Sequence, residues 1–193
     1  MSKEGSHFTG VEVGLADENA LLRASLAEAR ERLQEMEEAA DGDTLTGLPG
    51  RRRFLEALER AVGQAERHGT PAAILTIDIR HLQDINEEHG RLAGDTVLVQ
   101  VARLIAGLIR STDLLARIAG GQFGLLLDHL DQNSAIETSE RLARCIRTHP
   151  IDLGGSTVAV EAEIAVTGIL SGDSVEEVID RAARNLARTK SGY

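Results

Sequence analysis

A chain of 193 residues holds one domain of ordinary size plus an appendage, and a domain of about 150 residues buries a sizeable core without disulfide or metal staples. Its 31 Asp and Glu against 21 Lys and Arg, a formal charge of -10, argue against nonspecific nucleic-acid or anionic-membrane binding, whose affinity comes from basic patches. Cys145 is alone, which excludes an intrachain disulfide and favours the cytosol, and no long uncharged apolar run suits a signal peptide or membrane span, so the expectation is a soluble cytoplasmic protein.

Residues 1–12 mix Gly, Ser, His and charges without periodicity, and disorder is expected there. From residue 13 to 42 the apolar positions Leu15, Leu22, Leu26, Ala29, Leu33, Met36 and Ala40 fall on one seam of a helix. Charged residues flank this narrow stripe, which favours a coiled-coil helix that makes a homodimer; a helix docked on its own domain would carry the same stripe. Thr44 to Gly50 is dense in turn residues and opens the main unit, 43–193. Arg51 to His68 reads as an amphipathic helix stopped by Gly69 and Pro71, and Ala72 to Ile79 as a buried strand. After a polar, partly helical stretch to Gly90, Asp95 is expected to cap a helix from Thr96 to Ile109.

Two apolar runs, Leu114 to Ala119 and Phe123 to Leu127, flank Gly120 and Gly121, the pattern of a hairpin whose glycines both tolerate positive φ. Asn133 to Arg147 is a further helix, Thr157 to Thr167 a strand, and Ser174 to Lys190 a last helix with Ser174 and Glu177 as its capping box. The order helix, strand, helix, hairpin, helix, strand, helix predicts an α+β fold. Its mostly antiparallel central sheet would be flanked by helices, in the ferredoxin-like or palm-like class.

Over residues 43 to 190 the chain resembles the GGDEF domain of diguanylate cyclases, a nucleotide-cyclase-like fold. Asp43-Thr44-Leu45-Thr46-Gly47-Leu48-Pro49-Gly50-Arg51-Arg52 is similar to the family's opening motif D-x-L-T-G-L-x-N-R-R, departing at Gly50. Asp78 to Glu87 resembles D-I-D-x-F-K-x-I-N-D, and Gly90 to Leu98 resembles G-H-x-x-G-D-x-x-L, both eroded. Arg110-Ser111-Thr112-Asp113 fits the family's R-x-x-D inhibitory site, and Val178 to Lys190 its closing helix.

Active members join two GTP molecules into cyclic di-GMP with two Mg²⁺ ions held by carboxylates, which neutralise the phosphate and activate the attacking hydroxyl. The resemblance implies Asp78 as a residual metal ligand. In place of the signature stand Ala119, Gly120, Gly121, Gln122 and Phe123, so neither signature acid remains and no catalytic residue is expected. Arg80, Leu82 and Gln83 replace the family's Asp, Phe and Lys. Asn86 and Asp95 match the guanine-reading pair and Lys190 the phosphate-binding lysine, which implies at most a weak GTP site; loop and helix-cap roles explain Asn86 and Asp95 equally well.

Arg110 and Asp113 match the pair that binds cyclic di-GMP, although a helix-end salt bridge would give the same spacing. A lone site of this kind binds weakly unless a second basic surface joins across a dimer. Arg51, Arg52 and Arg53 are either solvated charge or such a surface. The implied role is a silent signalling or scaffold domain that needs no cofactor, takes Mg²⁺ only together with GTP, and has a protein partner the sequence does not name. The rivals are an active cyclase and an interaction module without nucleotide.

Overall fold

The computed structural model describes Leu22, Arg23, Ser25, Leu26 and residues 42–191. The chain divides into two compact units, Met1–Ala40 and Asp41–Tyr193. In the first, the four described residues are helical and exposed. The tail expected to be disordered over 1–12, and the rest of the dimerising helix over 13–42, lie outside the described residues.

The second unit is built on a four-stranded antiparallel sheet of order β2-β3-β1-β6, with β1 Ala72–Ile79, β2 Leu114–Ala119, β3 Gln122–Asp128 and β6 Ala162–Ile169. Strand β1 is central and buried on both faces, which is why it reads as a continuous apolar run instead of an alternation. Helices α1 (Arg51–His68) and α5 (Val175–Ser191) contribute Phe54, Leu58, Val178 and Ala182 to one core layer, with Ile74 and Ile169 of the sheet. On the other face α3 (Arg91–Ala106) and α4 (Gln132–Thr148) bury Val97, Val101, Ile105, Leu142 and Ile146 against Leu75, Ile77, Phe123 and Leu125. A short helix α2, Leu82–His89, follows β1. The α+β architecture, an antiparallel sheet flanked by helices, is as the element order predicts.

Local signals explain the ends of these elements. Helix α1 stops at Gly69, whose φ of 62° closes it through Gly69 N–H donating to the Ala65 carbonyl. Helix α5 opens on a reciprocal box: Glu177 N–H donates to Ser174 Oγ, and Ser174 N–H donates to Glu177 Oε2 at 2.8 Å. The helix is then latched to β6, as Arg181 donates to both Asp173 oxygens and to the Gly168 carbonyl, and Asn185 Nδ2 to the Val166 carbonyl.

Three expectations are corrected. Asp95 does not cap a helix: α3 begins at Arg91 after Gly90, whose φ of 85° breaks the chain there, and Arg91, Leu92 and Ala93 are good helix formers that extend it back by a turn. The strand expected over Thr157 to Thr167 is two pieces. Thr157–Val158 (β5) pairs with Ile151–Asp152 (β4) in a separate small sheet, and only Ala162 onward joins the main one. At the hairpin tip Gly120 has φ 48°, but Gly121 is not at positive φ; a Cβ on it would sit 3.0 Å from Leu82 Cδ2, so close packing, not turn geometry, favours glycine there.

Candidate functional site

The turn-rich opening motif is folded by one carboxylate. Asp43 Oδ1 accepts from the Thr46 N–H and the Thr46 hydroxyl, both at 2.7 Å, and Gly47, at φ 70°, returns its N–H to the Asp43 carbonyl. Arg117 of β2 then joins this loop to the hairpin. Its Nη1 donates to both Asp43 oxygens at 3.1 and 2.9 Å, its Nε and Nη2 donate to the Gly120 carbonyl, and its backbone N–H donates to the Pro49 carbonyl. Burial alone would raise the Asp43 pKa, but the Thr46 hydrogen bonds and Arg117 outweigh it and hold the carboxyl below its ordinary range. Arg117 is therefore a clasp whose donors are spent inside the fold.

The hairpin tip lies beside the end of β1. Ala119 pairs with Gln122 across a register shift after Arg117, and the Gly121 carbonyl accepts from Ile79 N–H at 3.1 Å. Gln122 and Glu163 stand opposite Asp78 on the two strands that flank β1, so all three side chains share the α1/α5 face. Asp78 forms an ion pair with Lys190 of α5 at 2.5 Å. Arg80 pairs with Glu163 at 3.4 Å and reaches Glu161 at 3.9 Å. The structure thus brings Asp78, Gln122 and Lys190 together, and adds Arg80 and Glu163. Glu163 escaped the sequence reading because two glutamates in a strand look solvated; its signal was an inward phase shared with Ala165, Thr167 and Ile169.

Asn86 of α2 packs against α3 at Gly94, the residue before Asp95. A Cβ on Gly94 would lie 2.1 Å from Asn86 Oδ1, so glycine is what lets this amide pack against α3. That oxygen is buried without a hydrogen-bond partner. An acceptor in this state is suited to a ligand that brings donors.

Arg110 and Asp113 sit at the other end of β2. They do not form the side-chain bridge considered from the spacing; Asp113 Oδ2 instead accepts from the Arg110 backbone N–H at 2.8 Å, and Asp113 N–H donates to the Arg110 carbonyl. The turn fixes their backbone and leaves the Arg110 side chain exposed. Both residues line a cavity of about 500 Å³ that also holds Arg141 of α4, whose Nη2 donates to the Leu108 carbonyl at 3.1 Å. Arg141 was missed because its distance in sequence gives no local signal. A second cavity of about 300 Å³, also lined by Asp113, carries Arg53 and Arg60 of α1. Arg51, Arg52 and Arg53 are exposed at the start of α1.

Among the described residues no group of three His, Cys, Asp or Glu side chains is placed to hold a metal ion, and no helix is long and apolar enough to cross a membrane.

Comparison with known proteins agrees with this architecture. Residues 40–192 match the model of the family "Diguanylate cyclase, GGDEF domain". The chain is 37% identical over 156 residues to diguanylate cyclase TpbB of Pseudomonas aeruginosa, covering 78% of this chain and 35% of that protein. It is 30% identical over 193 residues to diguanylate cyclase A of Treponema denticola, covering 97% of this chain and 51% of that one. The chain thus spans about a third to a half of these relatives' lengths.

Among solved structures, the coiled coil and GGDEF domain of DgcB from Caulobacter crescentus, in complex with c-di-GMP, aligns at TM-score 0.76 and 26% identity, covering 94% of this chain and 95% of that one. Diguanylate cyclase SiaD of Pseudomonas aeruginosa, in complex with its activator SiaC, aligns at TM-score 0.75 and 28% identity, covering 95% and 74%. With the family model matched over residues 40–192 and the fold shared with these solved structures, the chain belongs to the GGDEF domain family of diguanylate cyclases.

Proposed function

We propose that this is a catalytically silent GGDEF domain that serves as a cyclic di-GMP receptor through Arg110, Asp113 and Arg141. The observation that carries the reading is the cavity of about 500 Å³ in which all three line one wall system. Its size is that of ordinary ligand sites, and planar guanidinium groups suit phosphates and guanine edges. Arg53 and Arg60, which share a second cavity with Asp113, offer a basic surface for a second contact. Silence is inferred from the hairpin, where Gly121 and Gln122 supply no carboxylate for a metal and Asp78 is engaged by Lys190. The helix over 13–42 is assigned to homodimerisation, and the output to an unidentified protein partner.

The test is calorimetric titration of cyclic di-GMP and of GTP with Mg²⁺ into wild type, Arg110→Ala and Arg141→Ala, with the GTP samples checked for product. Cyclic di-GMP should bind wild type and lose about tenfold or more in affinity in Arg110→Ala, the worth of one charge-assisted contact. Equal binding by the variant sinks the site, and GTP turnover above a boiled control sinks the silence. A second reading, weak GTP binding at Asn86 and Asp95 with Mg²⁺ carried in by the nucleotide, is favoured by the orphaned Asn86 Oδ1. It predicts heat from GTP that disappears in Asn86→Ala. Heat from neither nucleotide would leave a protein-interaction module.

A further inference from the structure

We infer that Lys190 and Arg80 are built-in counter-ions that take the place of divalent metal beside Asp78, closing this face of the sheet to metal ions. The inference rests on the silent reading above for its biological sense, but its physical basis is separate.

Asp78 and Glu163 are register partners on β1 and β6, which brings their side chains onto one face with Cβ atoms about 5 Å apart. Two carboxylates so placed repel one another and would ordinarily be met by a hard divalent cation. Here each has its own cation from the chain: Lys190 Nζ on Asp78 Oδ2, and Arg80 Nε on Glu163 Oε1 at 3.4 Å. These four groups cancel in charge, and the exposed Glu161 lies beside them, 3.9 Å from Arg80.

Glu163 is the anchor of this arrangement. It is 7% exposed, and its second oxygen, Oε2, is buried without a hydrogen-bond partner. A carboxylate this deep must keep a partner charge or pay desolvation uncompensated, so Arg80 is held in place by the energetics of Glu163. Arg80 stands where the family pattern has an acid, so the substitution converts a potential ligand position into a cation. Gln122, the residue opposite Asp78 on β3, offers only a neutral amide oxygen. An incoming divalent ion would have to displace Lys190 from Asp78 or Arg80 from Glu163 before it met either carboxylate. Lys190, half-exposed and engaged by Asp78, is by the same token a counter-ion here and not a free phosphate ligand.

The experiment uses Mn²⁺ alone, followed by the loss of its free-ion EPR signal, with the full chain as wild type, Lys190→Gln, the double variant Arg80→Gln/Lys190→Gln, and that double variant with Glu163→Gln added. Wild type should show no saturable Mn²⁺ site. Lys190→Gln should gain a weak saturable site and the double variant one about tenfold tighter, since each change removes a neighbouring positive charge. Adding Glu163→Gln should abolish the gain. Saturable binding by wild type as tight as that of the double variant overturns the inference, as does a double variant that melts cooperatively and gains nothing. If loss of Arg80 unfolds the chain, Lys190→Gln decides alone: a gain supports the inference and no gain overturns it. Mn²⁺ binding does not report on the Arg110 cavity, so failure here and failure of the cyclic di-GMP titration are distinguishable.

Discussion

The two ends of β2 carry arginines with opposite fates. At the tip, Arg117 spends its guanidinium on Asp43 and the Gly120 carbonyl, within a fold that leaves its side chain 15% exposed. At the other end, Arg110 contributes only its backbone to a turn capped by Asp113, and its side chain faces a cavity. The difference separates charge spent inside the fold from charge that faces a cavity. Around the tip each acid has been closed by a cation of the same chain: Asp43 by Arg117, Asp78 by Lys190, Glu163 by Arg80. At the Arg110 corner the turn closes through Asp113 and the Arg110 backbone, without the guanidinium.

The contrast breaks most directly under paired substitutions. Arg117→Ala takes the guanidinium from the part-buried Asp43 carboxylate and unties the opening loop from the hairpin, and should cost about 2 kcal/mol in urea unfolding. Arg110→Ala should stay within about 0.5 kcal/mol of wild type, because an exposed side chain is removed and the Asp113 cap to its backbone survives. Comparable losses in the two would erase the distinction.

Gly94→Ala probes the neighbouring packing of Asn86, since its new Cβ would meet Oδ1 at 2.1 Å. A loss of about 2 kcal/mol is expected, partly restored in Gly94→Ala/Asn86→Ala, and additive losses in the cycle would show that the two do not touch. Ser174→Ala removes a helix cap remote from both ends of β2 and should cost about 1 kcal/mol without altering cyclic di-GMP affinity.

The smallest effect is a pH dependence. Asp43 titrates below its ordinary value in the fold, so its contribution is complete above about pH 4 and fades as the pH falls further, through the lowered folded value. The stability gap between wild type and Arg117→Ala should therefore hold steady from neutrality to about pH 5 and narrow below about pH 4. A gap that persists unchanged in acid would mean that Arg117 acts through packing and not through Asp43. Asp173, lowered chiefly by its hydrogen bonds from Arg181, loses stability over the same acid window in both proteins and cancels from the difference.

Where the sequence was legible, the information was local. The apolar stripe of α1, its stop at Gly69, the hairpin and the Ser174 box each declare themselves within a few residues, because helix period, strand period and capping are short-range. Residues 43–193 carried enough such signals to give the α+β order and the family motif together. The misplaced start of α3 came from crediting Asp95 as a cap when Gly90 had already reset the backbone, and the strand over 157–167 from an apolar run that two different sheets share.

By itself, the sequence determined which elements form and which acids the hairpin lacks, since these depend on residue identity and short spacings. Tertiary structure alone decided what each charge meets. The partnerships of Arg117 with Asp43, Lys190 with Asp78 and Arg80 with Glu163, and the arrival of Arg141 beside Arg110, join residues far apart in the chain. Only the folded sheet brings them within range, because Coulomb attraction and hydrogen bonds act over a few ångströms and have no sequence period.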